Sequence, residues 1–263
     1  MIAAGGADDS TAEAYFFRGT LRNAVGDYVG AISDLTESVR LSPRSPGGFV
    51  NRGNAYMALG NYERALADYD HAISIDQQHA VAFMHRGIAF RRQGDLVRAI
   101  SDYTEAIRLQ PRFEEAFLNR GSAYVATGDL TRAIADYDEA IRLDPNYAKA
   151  YNGRCWARAV LRQNLGLALD DCNRALTLSP GDPASLDSRG LVHLELGNFD
   201  HAIADYDAVL LREPQNSDAI YGRGVALVGA GRTAEGQEVM DRAIELDPQV
   251  AQRFAGGRYG TPH

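Results

Sequence analysis

The stretch NRGNAYMALGNYERALADYDHAI (Asn51–Ile73) decides how the chain is read, because it returns nearly word for word as NRGSAYVATGDLTRAIADYDEAI (Asn119–Ile141). Self-similarity at a period of a few tens of residues marks a stacked array, in which each copy buries its apolar face only against its neighbours. Working outward, a Gly recurs at Gly19, Gly53, Gly87 and Gly121, each 34 residues from the last. Cys155 takes the next position, and Gly190 and Gly224 resume the series after one extra residue. Prolines close the copies at Pro43, Pro111, Pro145, Pro180, Pro214 and Pro248, with Gln77 standing in once. Seven repeats follow: 12–45, 46–79, 80–113, 114–147, 148–182, 183–216 and 217–250, with 1–11 as an N-terminal leader and 251–263 as a short cap and loose tail.

Each repeat reads as two helices. Phe49 and Tyr56 share one face at helical spacing, and Leu66, Tyr69 and Ile73 share one face of the next segment. Gly60-Asn61 separates the two as a turn, as do Gly26-Asp27, Gly94-Asp95, Gly128-Asp129 and Gly197-Asn198. Proline ends the second helix because it cannot continue the backbone ladder. Gly on the first helix and Ala on the second (Ala31, Ala65, Ala99, Ala133, Ala168, Ala202) allow the two backbones to approach closely. Ser10 and Glu13 predict a capping box at the start of the first helix.

A two-helix unit of this length, with Gly, Tyr, Ala and Pro at these offsets, resembles the tetratricopeptide repeat. The resemblance covers Ala12 to about Val250. It implies an all-α, right-handed superhelical solenoid of stacked antiparallel helix pairs, whose first helices line a concave groove that takes a partner. One departure is constant: the residue before the Gly, bulky in the family, is Arg here in every copy.

That Arg series is Arg18, Arg52, Arg86, Arg120, Arg154, Arg189 and Arg223. Sixteen residues on stand Asp34, Asp68, Asp102, Asp136 and Asp205; Asp171 lies 17 after Arg154, and the last copy has Val239 instead. Arg–carboxylate pairs gain from bidentate geometry, so a structural charge ladder is expected, with Arg223 free. The competing reading is a row of Arg that binds an acidic ligand.

The resemblance places groove contacts at the second, fifth, sixth, ninth and twelfth residues of a repeat. Asn51, Asn54, His85, Asn119, Ser122, Lys149, Asn152 and Trp156 are the candidate peptide-binding residues on that basis. Asn51 and Asn54 match the Asn type of the family's carboxylate clamp, although no Lys occupies a fifth position. Asn51 and Asn119 also resemble an Asn ladder that grips an extended main chain, since an amide both donates and accepts. Trp156, the single Trp, is the expected aromatic anchor; the alternative is that it fills space beside a distorted turn. Cys155 and Cys172 fall at inner contact offsets, where buried free thiols are expected rather than a bridge.

Composition narrows the function classes. Net charge is −8, with a sequence pI of about 5.3, which disfavours nucleic-acid partners because phosphate neutralisation needs a basic face. A basic peptide partner, or simple solubility, fits the balance better. No apolar run approaches the roughly 18 residues of a spanning helix, so no membrane insertion is expected. The start, MIAAGGADDSTAE, lacks a basic region and an apolar core; this favours a cytoplasmic protein, or an exported one with its signal trimmed. No histidine pair has zinc-site spacing, and no phosphate-cradling Gly loop or nucleophile elbow occurs. Catalytic, cofactor and metal roles are therefore not expected. The leading expectation is a non-catalytic scaffold that binds a peptide or protein segment, with end-to-end self-association possible. The alternative is a substrate-positioning repeat region of a larger enzyme such as a glycosyltransferase.

Overall fold

The computed structural model describes the backbone of residues 5–255 and the side chains of residues 10–255. Among the described residues there are 15 helices and no strand: α1 (Gly5–Ala24), α2 (Tyr28–Leu41), α3 (Pro46–Ala58), α4 (Tyr62–Ile75), α5 (Ala80–Arg92), α6 (Leu96–Leu109), α7 (Glu114–Thr127), α8 (Leu130–Leu143), α9 (Ala148–Val160), α10 (Leu165–Leu178), α11 (Pro183–Glu195), α12 (Phe199–Leu210), α13 (Ser217–Gly229), α14 (Thr233–Leu246) and α15 (Val250–Ala255). They divide into two compact units, residues 1–123 and 124–263, with the division inside α7.

The turns explain why the helices come in pairs. Gly26, Gly60, Gly94 and Gly128 take φ of +84°, +73°, +81° and +82°, the left-handed region that L side chains resist. The next residue then caps the second helix. Side-chain oxygens of Asp27, Asn61, Asp95 and Asp129 accept from the N–H groups of Gly30, Arg64, Arg98 and Arg132. In the fifth repeat the extra residue removes this device: Arg162 and Asn164 take φ of 52° and 51° without a Gly. Ser10 does not cap α1. The helix begins at Gly5, so Ser10 lies in its interior and its own turn supplies the backbone partners.

Within each unit the first helices pack side by side: α1 on α3 and α3 on α5 in the N-terminal unit, α9 on α11 and α11 on α13 in the C-terminal one. Among the described residues the second helices pack on first helices and, for α14, on α15, but not on one another. The first helices of each unit therefore form one continuous face. At the C-terminal end α15 packs on α13 and α14, burying Val250 and setting Phe254 4.9 Å from Tyr221. Residues 1–4 of the expected leader and 256–263 of the expected loose tail lie outside the described residues.

The closest approach within a pair is the Gly of the first helix against a residue sixteen later. A Cβ on Gly53 would lie 2.6 Å from the Tyr69 ring, on Gly87 2.7 Å from Tyr103, and on Gly190 2.9 Å from Tyr206. Leu35 fills the same place over Gly19, and Met240 over Gly224. A large side chain on the second helix thus needs a hole on the first. In the fifth repeat both partners are Cys, and they form a disulfide, with Cα atoms 5.5 Å apart. The expectation of free thiols is corrected for that reason: the two positions are the ones in direct contact in every other repeat so described. Two medium side chains bridge a gap that elsewhere takes one large and one absent.

Candidate functional site

The Arg series sits at the inner edge of each helix pair. Arg18 meets Asp34 with Nε–Oδ2 2.7 Å and Nη2–Oδ1 2.6 Å. The same two-point geometry joins Arg52 to Asp68, Arg86 to Asp102, Arg154 to Asp171 and Arg189 to Asp205. Each of these aspartates is buried, as is Asp136. The hydrogen bond from Arg18 holds the Asp34 carboxyl below its usual range against the opposing effect of burial.

A second series of partners has no counterpart in the sequence reading. In five of these Arg the Nη1 reaches back to the second helix of the preceding repeat. Arg52 meets Thr36, Arg86 meets Asp70 at 2.6 Å, Arg120 meets Thr104, Arg154 meets Asp138 at 2.6 Å, and Arg189 meets Asn173. One guanidinium therefore ties two neighbouring repeats. Arg223, expected to be free, is corrected by the same rule: without its own Asp it still donates to Asp207 at 2.6 Å. The acceptors vary between hydroxyl, carboxylate and amide, so no single residue type marked them.

On the first-helix face of the N-terminal unit, Asn54, Met57, Tyr69, His85 and Ile88 line a cleft of about 300 Å³. Tyr69 enters it because Gly53 leaves room for its ring. Its hydroxyl donates to Asn54 Oδ1 at 2.8 Å, and its ring stacks with His85 at 6.0 Å. Burial, and secondarily the charge of His79, push His85 down to about 4, so its imidazole is neutral near pH 7. Burial also pushes the Tyr69 phenol up. The cleft thus offers uncharged donors and acceptors over an apolar floor. Asn51 is partly exposed on the same helix, and its backbone carbonyl accepts from Asn23 of α1 at 2.8 Å. Of the sequence candidates, the structure brings Asn54 and His85 together here. Met57 and Tyr69 are not among those candidates; the repeat pattern marks Tyr69 as a packing residue.

The remaining candidates are placed differently. Asn119 and Ser122 turn back on their own helix, donating to the carbonyls of Glu115 and Leu118 at 2.8 and 3.0 Å. Lys149 is exposed on α9. Asn152 and Trp156, four residues apart on α9, are only 5% and 3% exposed. Trp156 packs in the core cluster around Cys155, Cys172 and Leu191, where it fills space beside the bridge. Asn152 Oδ1 and Trp156 Nε1 are buried without a protein partner. Among the described residues no group of three or more His, Cys, Asp or Glu side chains could hold a metal ion. None of the described helices is long and apolar enough to cross a membrane.

Family comparison matches residues 53–94, 87–128 and 121–154 to the TPR repeat and residues 188–251 to the tetratricopeptide repeat. The matches cover more than half of the sequence. The chain belongs to the tetratricopeptide-repeat family. Solved TPR structures share the fold. A chain of the APC/C hetero-tetramer Cut9–Hcn1 superposes with a TM-score of 0.72 at 15% identity, over 88% of this chain and 48% of that one. This chain therefore spans about half the length of that relative. PilF of Pseudomonas aeruginosa gives 0.72 at 17% identity, over 79% and 94% of the two chains. YrrB, described as a TPR protein with an unusual peptide-binding site, gives 0.56 at 22% identity, over 72% and 96%. The fold class is all-α, a TPR solenoid, and TPR repeats make the chain a protein–protein interaction scaffold.

Proposed function

We propose that this scaffold is non-catalytic and holds an extended peptide or protein segment along the first-helix face of its N-terminal unit. The observation that carries the reading is the Asn54–Tyr69–His85 cleft, where a hydrogen-bonded, neutral polar rim surrounds Met57 and Ile88. Such a pocket suits a partly apolar side chain, while Asn51 beside it offers an amide to the main chain. The likeness to YrrB, whose peptide-binding site is stated for that protein, supports the same direction. The test is selection of a random dodecapeptide library on the immobilised protein, followed by affinities for wild type, Asn54→Ala, His85→Ala and the exposed control Arg44→Ala. Binding weakened by the first two and not by the control is expected. Equal affinity for all four would contradict the reading.

A further inference from the structure

The tenth residue of the second to seventh repeats is Ala55, Ala89, Ala123, Ala157, Val192 and Ala226, each 0% exposed. These residues cluster with the second helix of the preceding repeat: Ala55 with Ala31 and Leu35 of α2, Ala89 with Ala65 and Tyr69 of α4, and Ala226 with Ala202 and Tyr206 of α12. At the sixth position, Gly153 and Gly222 lie against Tyr137 and Tyr206 in the same way. The first repeat has Leu21 and Phe17 at these two places, 67% and 61% exposed. Val25, one turn past Leu21, is 80% exposed. The face that elsewhere receives a preceding second helix is therefore open on α1, and apolar. An end face that stays in water is polar in repeat arrays, and a contiguous exposed apolar patch marks an interaction surface.

The side chains of this face restrict what can cover it. A second helix of this series presents its large residue to Gly or Ala, and Leu21 would overfill that contact. The far end of the chain is no match either. The exposed face of α14 carries Gln237, Glu238, Asp241, Arg242 and Glu245, charges that apolar side chains would strip of water without pairing them. A helix of the same kind fits. Ser10, Ala14, Phe17, Leu21 and Ala24 are all exposed and follow one another at intervals of four, three, four and three residues, the a and d positions of a coiled-coil seam. α1 is 20 residues long against 14 for α2. Packing on α2 and α3 already holds it helical, so pairing orders little new chain.

Charge supplies the direction. With Ala14 at a, Glu13 is a g residue and Arg18 the e residue of the following heptad. A parallel, in-register pair brings that g of one helix beside that e of the other. Glu13 is exposed. Arg18 engages Asp34 through Nε and Nη2. Its Nη1, the atom that reaches the preceding repeat in five later copies, has no acceptor among the described residues.

We propose that the exposed seam of α1 pairs with the same seam of a second copy of this chain, in a parallel two-helix contact where Glu13 of each copy meets Arg18 of the other. Phe17 and Leu21 supply the apolar area, and the Glu13 carboxylate supplies the acceptor that Arg18 Nη1 lacks. An exposed ion pair adds little stability, so it sets the direction of the helices while the apolar residues set the affinity. Self-association then joins two N-terminal units rather than opposite ends of the chain.

Sedimentation equilibrium of the full chain should show a mass that rises with concentration from 28.6 kDa toward twice that value. Leu21→Glu sets like charges together in the seam and should weaken association by about tenfold or more. Glu13→Arg should weaken it several-fold, most at low salt. Val97→Glu, at a Val of α6 that is 79% exposed, should leave it unchanged. Circular dichroism confirms that each variant is folded. Direction is read by cross-linking. Both cysteines of the chain are in the Cys155–Cys172 bridge, so Ala14→Cys adds a single thiol. A disulfide needs Cα atoms within about 7 Å. Under oxidised glutathione Ala14→Cys should form a covalent dimer, because a parallel seam sets the two residues side by side. An antiparallel seam that matches Ala14 with Ala24 separates them by about 15 Å along the axis and cross-links only a mixture of Ala14→Cys with Ala24→Cys. Cross-linking confined to that mixture would overturn the proposal, as would equal loss in Leu21→Glu and Val97→Glu. A wild type that stays at 28.6 kDa at every concentration would overturn it too, and would leave the seam to a helix of a different chain.

Discussion

The two compact units solve one packing problem in two ways. In the N-terminal unit, Gly53 and Gly87 open holes that Tyr69 and Tyr103 fill. In the C-terminal unit, the fifth repeat replaces that knob and hole with the Cys155–Cys172 bridge, while the sixth returns to Gly190 and Tyr206. The difference reaches beyond volume. Tyrosine carries a hydroxyl across to the first helix, where that of Tyr69 donates to Asn54. The disulfide delivers no polar atom there, and its neighbour Trp156 is packed inward. Where the contact is aromatic the same atoms serve packing and the surface; where it is covalent they serve packing alone.

The contrast can be broken most forcefully at the ladder. Arg86 satisfies buried Asp102 and also Asp70, whereas Arg223 meets only Asp207, which is half exposed. Arg86→Leu leaves a buried carboxylate uncompensated and should lower stability by about 3–5 kcal/mol. Arg223→Leu should cost only about 0.5–1 kcal/mol. Urea titrations compare the two, and equal losses would remove the buried Asp as the cause. Next in size is reduction of the disulfide, which closes a loop of sequence separation 17. Its loss should cost about 2–4 kcal/mol, visible in the unfolding of the C-terminal unit through Trp156 fluorescence. The His85 imidazole signals of the N-terminal unit should not move. A matching shift at His85 would show that the bridge acts on both units.

The smallest effect is on pH, and its sign differs between the units. His85 is pushed down to about 4 from a usual 6.5, so the unfolded chain takes up a proton first. Its contribution is present above pH 6.5 and is lost as pH falls toward 4. Asp187 in the C-terminal unit is pushed up to about 7 from 3.8, by burial and then by the charges of Asp218 and Glu213. Its contribution is full below about 3.8 and is lost as pH rises toward 7. Tm measured against pH should flatten on the acid side in His85→Asn and between pH 4 and 7 in Asp187→Asn. A change of slope in the same direction for both would contradict the assignment.

Period and contact type were legible in the sequence because they repeat. The Gly–Asp turns, the Gly opposite a large residue and the Arg–Asp spacing each recur with one residue type, and the helix pairs follow. Legibility failed where chemistry varied at a fixed offset. The second acceptors of the Arg row are Thr36, Asp70, Thr104, Asp138 and Asn173, alike in position but not in type. Trp156 sits at a groove offset, yet the room beside the disulfide draws it inward. The bridge itself was within reach. Cys155 and Cys172 occupy the offsets of Gly and Tyr, and those offsets touch.

That equivalence of bridge and knob is tested most directly by a double-mutant cycle at the fifth repeat. Stabilities of Cys155→Gly, Cys172→Tyr and the double variant would be measured by urea unfolding against reduced wild type. Cys172→Tyr alone places a large ring against a side chain, and Cys155→Gly alone opens a hole. The double variant restores the pairing found in the sixth repeat, so it should be more stable than the sum of the single changes by about 1 kcal/mol or more. Additive effects within about 0.5 kcal/mol would contradict the account, because the two positions would then not be filling one shared space.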